Sequence, residues 1–140
     1  MAKEGVFPSL CLTVDSGKFP AVCQYVELMK DKYGIKVENL GQQTHQQVLA
    51  LYKSCSALIF ASKYESLGLP LIEAVQAGLP ILAPELDYIR DLIDPAETFD
   101  PSSSLSIARS VKRYLGVLEG SLSIMDARLF LDSVFGKVAE

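Results

Sequence analysis

Residues 57–84 read ALIFASKYESLGLPLIEAVQAGLPILAP, and this stretch decides the fold. The apolar run over 57–61 predicts a buried strand, and a polar loop over 62–69 follows it. Pro70 suits the first turn of a helix and Gly78 suits its end, after which an apolar run between two prolines predicts a second strand. Strand, helix and strand form a βαβ unit, which is almost always right-handed and builds a parallel sheet.

The same alternation continues in both directions from this unit. Further strands are predicted near 8–14, 35–40 and 97–100, and the apolar run over 8–14 predicts a buried strand. The second strand of the unit spans 80–84. Amphipathic patterns with glycine stops or capping residues predict further helices over 19–33, 44–55, 87–93, 104–115 and 123–135. The predicted fold class is therefore α/β, with a Rossmann-like parallel sheet of about five strands and helices on both faces. Ligands bind such sheets at the carboxyl ends of the strands.

Composition limits the classes of function. The chain has 140 residues, 49% of them hydrophobic, which suits one folded domain. Its 13 basic and 17 acidic residues give a net charge of −4, which argues against binding to nucleic acid. No apolar run approaches the ~20 residues of a membrane span, and the start carries no signal-peptide pattern.

The cysteines and the lone histidine argue against a metal site. Cys11, Cys23 and Cys55 form no close pair and lack metal-ligand spacing, so we expect reduced, buried thiols and a cytoplasmic setting. His45 has no partner in sequence, so we expect it to be a surface residue and expect no metal.

The loop and helix that follow the 57–61 strand carry the candidate chemistry. Gly68 and Leu69 precede the helix that begins near Pro70, where free amides and the helix dipole can bind a phosphate without basic side chains. Glu65 lies at the strand exit, and Glu73 lies one turn into the helix. Two carboxylates beside a phosphate require hydroxyl donors, so the pattern suits a ligand with a central diphosphate and a polyol at each end. Both positions also favour the helix dipole, so a purely structural role is the alternative.

Other polar residues fit surface or packing roles better than roles in binding or catalysis. Lys18 follows a strand exit but lacks the glycine and hydroxyl residues of a phosphate-binding loop, so we interpret it as a solvated lysine. Arg90 is predicted to form a surface pair with Asp87 and Asp91. Four tyrosines at helical spacing are interpreted as core or rim packing, namely Tyr25, Tyr33, Tyr52 and Tyr114.

Two stretches carry a family resemblance. Residues 65–74 read ESLGLPLIEA and 77–81 read AGLPI, which resembles the signature of group 1 glycosyltransferases with the GT-B fold, part of the large retaining family 4. The resemblance covers residues 8–135 in order and spacing. Residues 85–93 and 98–101 are most similar to the branch that builds bacterial capsule and O-antigen polysaccharides.

This resemblance implies a function for the whole chain. Residues 1–140 would be the C-terminal donor-binding lobe of a hexosyltransferase that acts on a glycan or lipid-linked acceptor. The donor would be a nucleoside-diphosphate sugar, without a cofactor. A cytoplasmic location is expected, and peripheral attachment of the full-length enzyme to the inner face of the membrane is left open.

The resemblance also implies roles for single residues. Glu65, the catalytic-site residue, would contact the donor hexose, and Glu73 would bond the ribose hydroxyls. Backbone groups hold the rest of the donor: those of Leu67, Gly68 and Leu69 would hold the diphosphate and sugar, and the turn at Gly41, Gln42 and Gln43 would border the base.

Two departures from the family qualify these expectations. The family has a further strand and helix before this region, with an arginine and a lysine that bind the diphosphate, and it has an acceptor-binding N-terminal domain; we expect neither in this chain. The isolated chain should then be inactive and marginally stable, with an apolar groove between the first and third predicted strands. Lys63 replaces an apolar residue of the family and receives no role.

Two alternatives remain. The chain could be a non-catalytic sugar-nucleotide-binding module that acts with a separate partner chain. It could also be a flavodoxin-like regulatory domain, but that class leaves residues 62–84 unexplained and needs an acidic cluster where Asp15 stands alone.

Overall fold

Strands and helices alternate along the chain. The structure is a computed structural model that describes residues 8–117. The helix predicted over 123–135 lies outside these residues. The strands are β1 (Ser9–Leu12), β2 (Lys36–Asn39), β3 (Leu58–Ile59), β4 (Ile81–Pro84) and β5 (Glu97–Phe99). The helices are α1 (Pro20–Tyr33), α2 (His45–Ser54), α3 (Leu69–Gln76), α4 (Asp87–Arg90) and α5 (Ser104–Tyr114).

All strand pairs are parallel, which confirms the predicted α/β class. β1 pairs with β2 in one sheet, with Leu10 opposite Val37. β3, β4 and β5 form a second sheet in that order, with Leu58 opposite Ile81. The predicted single sheet is thus divided between β1 and β3, at the place where the sequence predicted a missing strand.

Local sequence explains where the central helices begin and end. α2 begins with a capping box. The Thr44 hydroxyl accepts a hydrogen bond from the backbone amide of Gln47, and the Gln47 side chain accepts one from the backbone amide of Thr44. α1 ends at Gly34, whose φ of 61° is a left-handed conformation that favours glycine. Both features match the sequence prediction.

The core lies on both faces of β4. Ile81 and Ala83 pack in one cluster with Leu71 and Ala74 of α3, whereas Leu82 packs with Val111 of α5 in the other. Because successive strand residues point to opposite faces, α3 and α5 cover opposite sides of this sheet. The carboxyl end of α5 is held by a hydrogen bond of 2.6 Å, which the Tyr114 hydroxyl donates to the Ser56 carbonyl.

The other sheet is much less buried than the sequence predicted. Three of the four β1 residues are exposed, so the prediction of a buried strand there was wrong. The prediction of buried thiols was also wrong, because Cys11 is exposed and Cys23 and Cys55 are only half-buried, although all three are free. The physical reason is that, among residues 8–117, no strand lies beside the β1 edge that faces β3.

A groove of about 600 Å³ occupies this division, which confirms the predicted groove. Apolar side chains dominate its lining, and they come from both sheets and from α2, including Leu10, Leu12, Leu51, Leu58 and Leu79. Within the described part of the chain, no helix is long and apolar enough to cross a membrane.

Candidate functional site

The amino terminus of α3 presents free backbone amides. Gly68 precedes the helix with a φ of 58°, and a Cβ at this position would lie 2.7 Å from Cδ1 of Leu92. The amides of Leu71 and Ile72 both donate to the Gly68 carbonyl, which tightens the first turn. Among the described residues, no acceptor is recorded for the amides of Gly68 and Leu69. Such a helix start is suited to binding an anion.

The loop before α3 is braced by α4. The Tyr88 hydroxyl donates to the Ser62 carbonyl over 2.9 Å, and the Ser62 hydroxyl donates to the Tyr64 carbonyl over 2.8 Å. Glu65 is exposed and accepts the amide of Ser66 over 3.1 Å. Burial raises the pKa of Tyr88, and the nearby charge of Glu65 adds to the rise. Glu65 therefore lies on the α4 side of the loop, with its carboxylate open to solvent.

Glu73 faces α2. Its Oε1 lies 3.6 Å from Nδ1 of His45, and its side chain is 24% exposed. Burial raises the pKa of Tyr52, and the charge of Glu73 and a hydrogen bond to it raise that pKa further. A carboxylate, an imidazole and a phenol thus meet at one wall of the groove between the sheets.

A second pocket, of about 510 Å³, lies at the carboxyl ends of β1 and β2. Gln42 and Gln43 line one side of it, and the segment from Thr13 to Asp15 lines the other, together with Lys18. Lys18 is largely exposed, and its Nζ lies 3.8 Å from the Asp15 carboxylate. This exposure agrees with the prediction of a solvated lysine.

Asn39 holds this end of the sheet together. Its Oδ1 accepts the amides of Val14 and Gly41 over 2.9 and 3.2 Å, and its Nδ2 donates to the Val14 carbonyl over 3.0 Å. One side chain therefore fixes the turn at Gly41 and Gln42 against the end of β1. The sequence analysis missed this residue; its place at the end of a strand, beside a glycine turn, was the available signal.

The structure brings some candidates together and keeps others apart. Gly68, Leu69 and Glu73 share the start of α3, and the exposed side chain of Leu67 lies just before them. No contact between Glu65 and Glu73 is recorded; they face different helices.

Two predicted environments need correction. Arg90 does not pair with Asp87 or Asp91: its guanidinium binds the Glu85 carboxylate twice, at 2.8 Å each, and Asp94 at 2.5 Å. His45 is exposed as predicted, but it has a partner in Glu73. The physical reason is that the partners come from outside the helix of each residue: Glu85 and Asp94 flank α4, and Glu73 lies on α3.

Comparison with known proteins identifies the family. The model for glycosyl transferases group 1 matches residues 23–116, which is most of the chain. The chain therefore belongs to the group 1 glycosyltransferases.

Individual relatives agree with this assignment. A serotype-specific mannosyltransferase WbdA of Escherichia coli is 37% identical over 70 residues, which is 49% of this chain and 9% of that protein. A second protein with the same description and source is 36% identical over 73 residues, which is 51% of this chain and 9% of that protein.

A solved structure agrees with the fold. Sucrose-phosphate synthase from Thermosynechococcus elongatus superposes with a TM-score of 0.61 at 24% identity, over 76% of this chain and 28% of that one. At this identity the likeness shows the fold alone. The chain spans only a small part of each of these proteins.

Proposed function

We propose that this chain is the donor-binding lobe of a retaining glycosyltransferase and that it holds a nucleoside-diphosphate hexose. One observation carries the proposal: free amides begin α3, the exposed Glu65 stands in the loop just before them, and Glu73 on α3 faces α2. A diphosphate at the amides would extend toward Glu73 on one side and toward Glu65 on the other. Ribose hydroxyls would donate to Glu73, and hexose hydroxyls would donate to Glu65.

The remaining candidates fit the same ligand. The pocket beside Gly41 and Gln42 lies at the carboxyl ends of β1 and β2, where parallel sheets bind ligands, and it would hold the base. Gly68 keeps the start of α3 in place, because a side chain there would collide with Leu92. A mannose-bearing donor is the first to test, because two relatives are described as mannosyltransferases.

Transfer needs an acceptor, for which we propose a glycan or lipid-linked sugar bound by another domain. The isolated 140 residues are expected to bind the donor without transferring sugar. Of the lysines near the loops, Lys18 pairs with Asp15 at the pocket proposed for the base, and Lys63 lines a separate pocket beside Glu85. Turnover by the isolated chain above a buffer control would contradict this expectation.

Calorimetric titration with a free nucleoside diphosphate and with the complete nucleotide-sugar tests the two carboxylates. Glu73→Gln should weaken binding of both ligands by roughly tenfold or more, because hydrogen bonds to a charged group are worth about 1.5–3 kcal/mol each. Glu65→Gln should weaken binding of the complete donor and leave binding of the free nucleoside diphosphate unchanged.

Glu27→Gln is the matched control, because Glu27 is exposed on α1 and pairs with Lys30, away from the loop and the start of α3. It should bind both ligands as the unmodified chain does. Equal losses for both ligands in the Glu65 and Glu73 variants would show that the carboxylates merely support the loop and the helix. Absence of binding by the unmodified chain would overturn the proposal.

A further inference from the structure

Two side chains of α2 meet the carboxylate of Glu73. His45 is the first residue of α2, and its Nδ1 lies 3.6 Å from Glu73 Oε1. Tyr52 comes seven residues later, which is two helical turns, so both side chains lie on the same face. All three residues line the groove between the two sheets. One helix therefore supplies two polar groups to a carboxylate on another helix.

The two groups differ in how firmly they are held. Tyr52 is only 9% exposed and packs in the same core cluster as Leu71 and Ala74, the residues of α3 on either side of Glu73. His45 is 67% exposed, but the capping box of Thr44 fixes the turn from which it projects. Tyr52 is therefore fixed by packing, whereas the His45 side chain lies largely in solvent.

The phenol remains a donor at all ordinary pH values. Burial raises the pKa of Tyr52, and the Glu73 carboxylate raises it further, so the hydroxyl keeps its proton. A buried phenol of this kind needs a polar partner, because leaving it unpaired is costly. A carboxylate has about four acceptor positions, so Tyr52 and His45 leave some of them open.

We infer that Tyr52 and His45 are positioning residues for Glu73, which orient its carboxylate so that its open acceptor positions meet the two adjacent hydroxyls of a ribose. This inference rests on the proposed function, because it assigns the recognition of ribose to Glu73. It adds a specificity: the site should select ribonucleotides over 2′-deoxyribonucleotides, and α2 should set the strength of that selection.

The test compares binding of a nucleoside diphosphate and its 2′-deoxy counterpart by calorimetry. The measured quantity is the ratio of the two dissociation constants. Tyr52→Phe should lower the preference for ribose by about three- to tenfold, because the carboxylate loses the phenol that packs beside it on the wall of the groove. His45→Leu should lower the preference by about two- to threefold, since solvent screens the contact of this exposed residue.

Two further variants separate positioning from general support. His45→Asn keeps a donor near the original position and should restore much of the preference. Tyr114→Phe is the matched control, because it also removes a tyrosine hydroxyl that lines the groove but donates to the Ser56 carbonyl instead. This variant should keep the full preference, whereas a merely structural effect of losing a hydroxyl would appear in both tyrosine variants.

Each outcome decides a different claim. If the unmodified chain prefers ribose and Glu73→Gln abolishes the preference, the ribose role of Glu73 stands. If Tyr52→Phe and His45→Leu then keep the full preference, the positioning role is overturned while the proposed function survives. If Glu73→Gln keeps the preference or no nucleotide binds, both claims fall. Should Tyr52→Phe lose its cooperative thermal transition, His45→Leu and His45→Asn decide alone.

Discussion

The part of the molecule built on β3, β4 and β5 buries far more apolar surface than the part built on β1 and β2. Leu71, Leu82 and Ile89 are completely or almost completely buried in the first part. In residues 8–44, by contrast, Val37 is the only buried hydrophobic side chain, and α1 buries none. Both parts have amphipathic helices beside parallel strands. The difference teaches that an apolar stripe is buried only where a neighbouring element covers it.

The largest expected effect comes from truncating one leucine in each part. Leu71→Ala should cost about 2–5 kcal/mol of unfolding free energy, because it leaves a cavity in a fully buried cluster. Leu28 lies on α1 and is 58% exposed, so Leu28→Ala should change the unfolding free energy by less than about 0.5 kcal/mol. Urea denaturation measures both. Similar costs for the two variants would mean that α1 is covered in solution and would remove the contrast.

A smaller effect is expected from adding a methyl group to one glycine in each part. Gly34 and Gly68 both have a positive φ, which costs a non-glycine residue about 1–2 kcal/mol. Only Gly68→Ala also meets another side chain, at 2.7 Å from Leu92 Cδ1, whereas nothing lies within 4 Å at Gly34. Gly68→Ala should therefore be less stable than Gly34→Ala by about 1 kcal/mol in thermal denaturation.

The double variant Gly68→Ala, Leu92→Ala sharpens this comparison. Removing the leucine side chain should recover the extra cost of Gly68→Ala but not the cost of the left-handed backbone. If Leu92→Ala gives no such recovery in a double-mutant cycle, the close approach of Leu92 is not what requires glycine at position 68.

The smallest expected effect is a pH dependence in the β3–β5 part. Hydrogen bonding to Arg90 is the main cause that lowers the pKa of Glu85. A carboxyl group with a lowered pKa stabilises the fold above its ordinary pKa, and this contribution disappears as pH falls through the lowered value. Glu85→Gln should therefore reduce the melting temperature slightly near pH 7, with the difference from the unmodified chain vanishing in acid.

Asp91→Asn controls for this measurement, because it removes one negative charge from the same segment without touching the pair of Glu85 and Arg90. It should not reproduce the pH-dependent difference. A difference for Glu85→Gln that persists unchanged in acid would show that the ion pair is not its source.

Features set by neighbours in sequence were predictable, and those set by other elements were not. The capping box of Thr44, the glycine before α3 and the position of every described strand follow from local spacing. The candidate site residues at Glu73 and Gly68 follow from the same local pattern and from family resemblance. Their roles in binding stay predictions until ligands are tested.

Contacts between distant elements required the three-dimensional arrangement. The pairing of His45 with Glu73 joins residues on two different helices, and the bonds of Asn39 to Val14 join the ends of two strands. No periodicity in one segment carries that information. The same reason explains the exposure of β1, because an apolar run indicates what a strand could bury but not whether another strand is present to cover it.

The hydrogen bond from the Tyr114 hydroxyl to the Ser56 carbonyl joins residues 58 positions apart, and it sets an order of events during synthesis. The β1–β2 part leaves the ribosome first, yet the well-packed part is complete only once α5 has been made. At about 5–20 residues per second, the roughly 74 residues between Leu40 and Tyr114 take about 4–15 seconds to add. During that interval the core on the α5 side of the β3–β5 sheet is incomplete, because Leu82 and Phe99 pack against Val111 of α5.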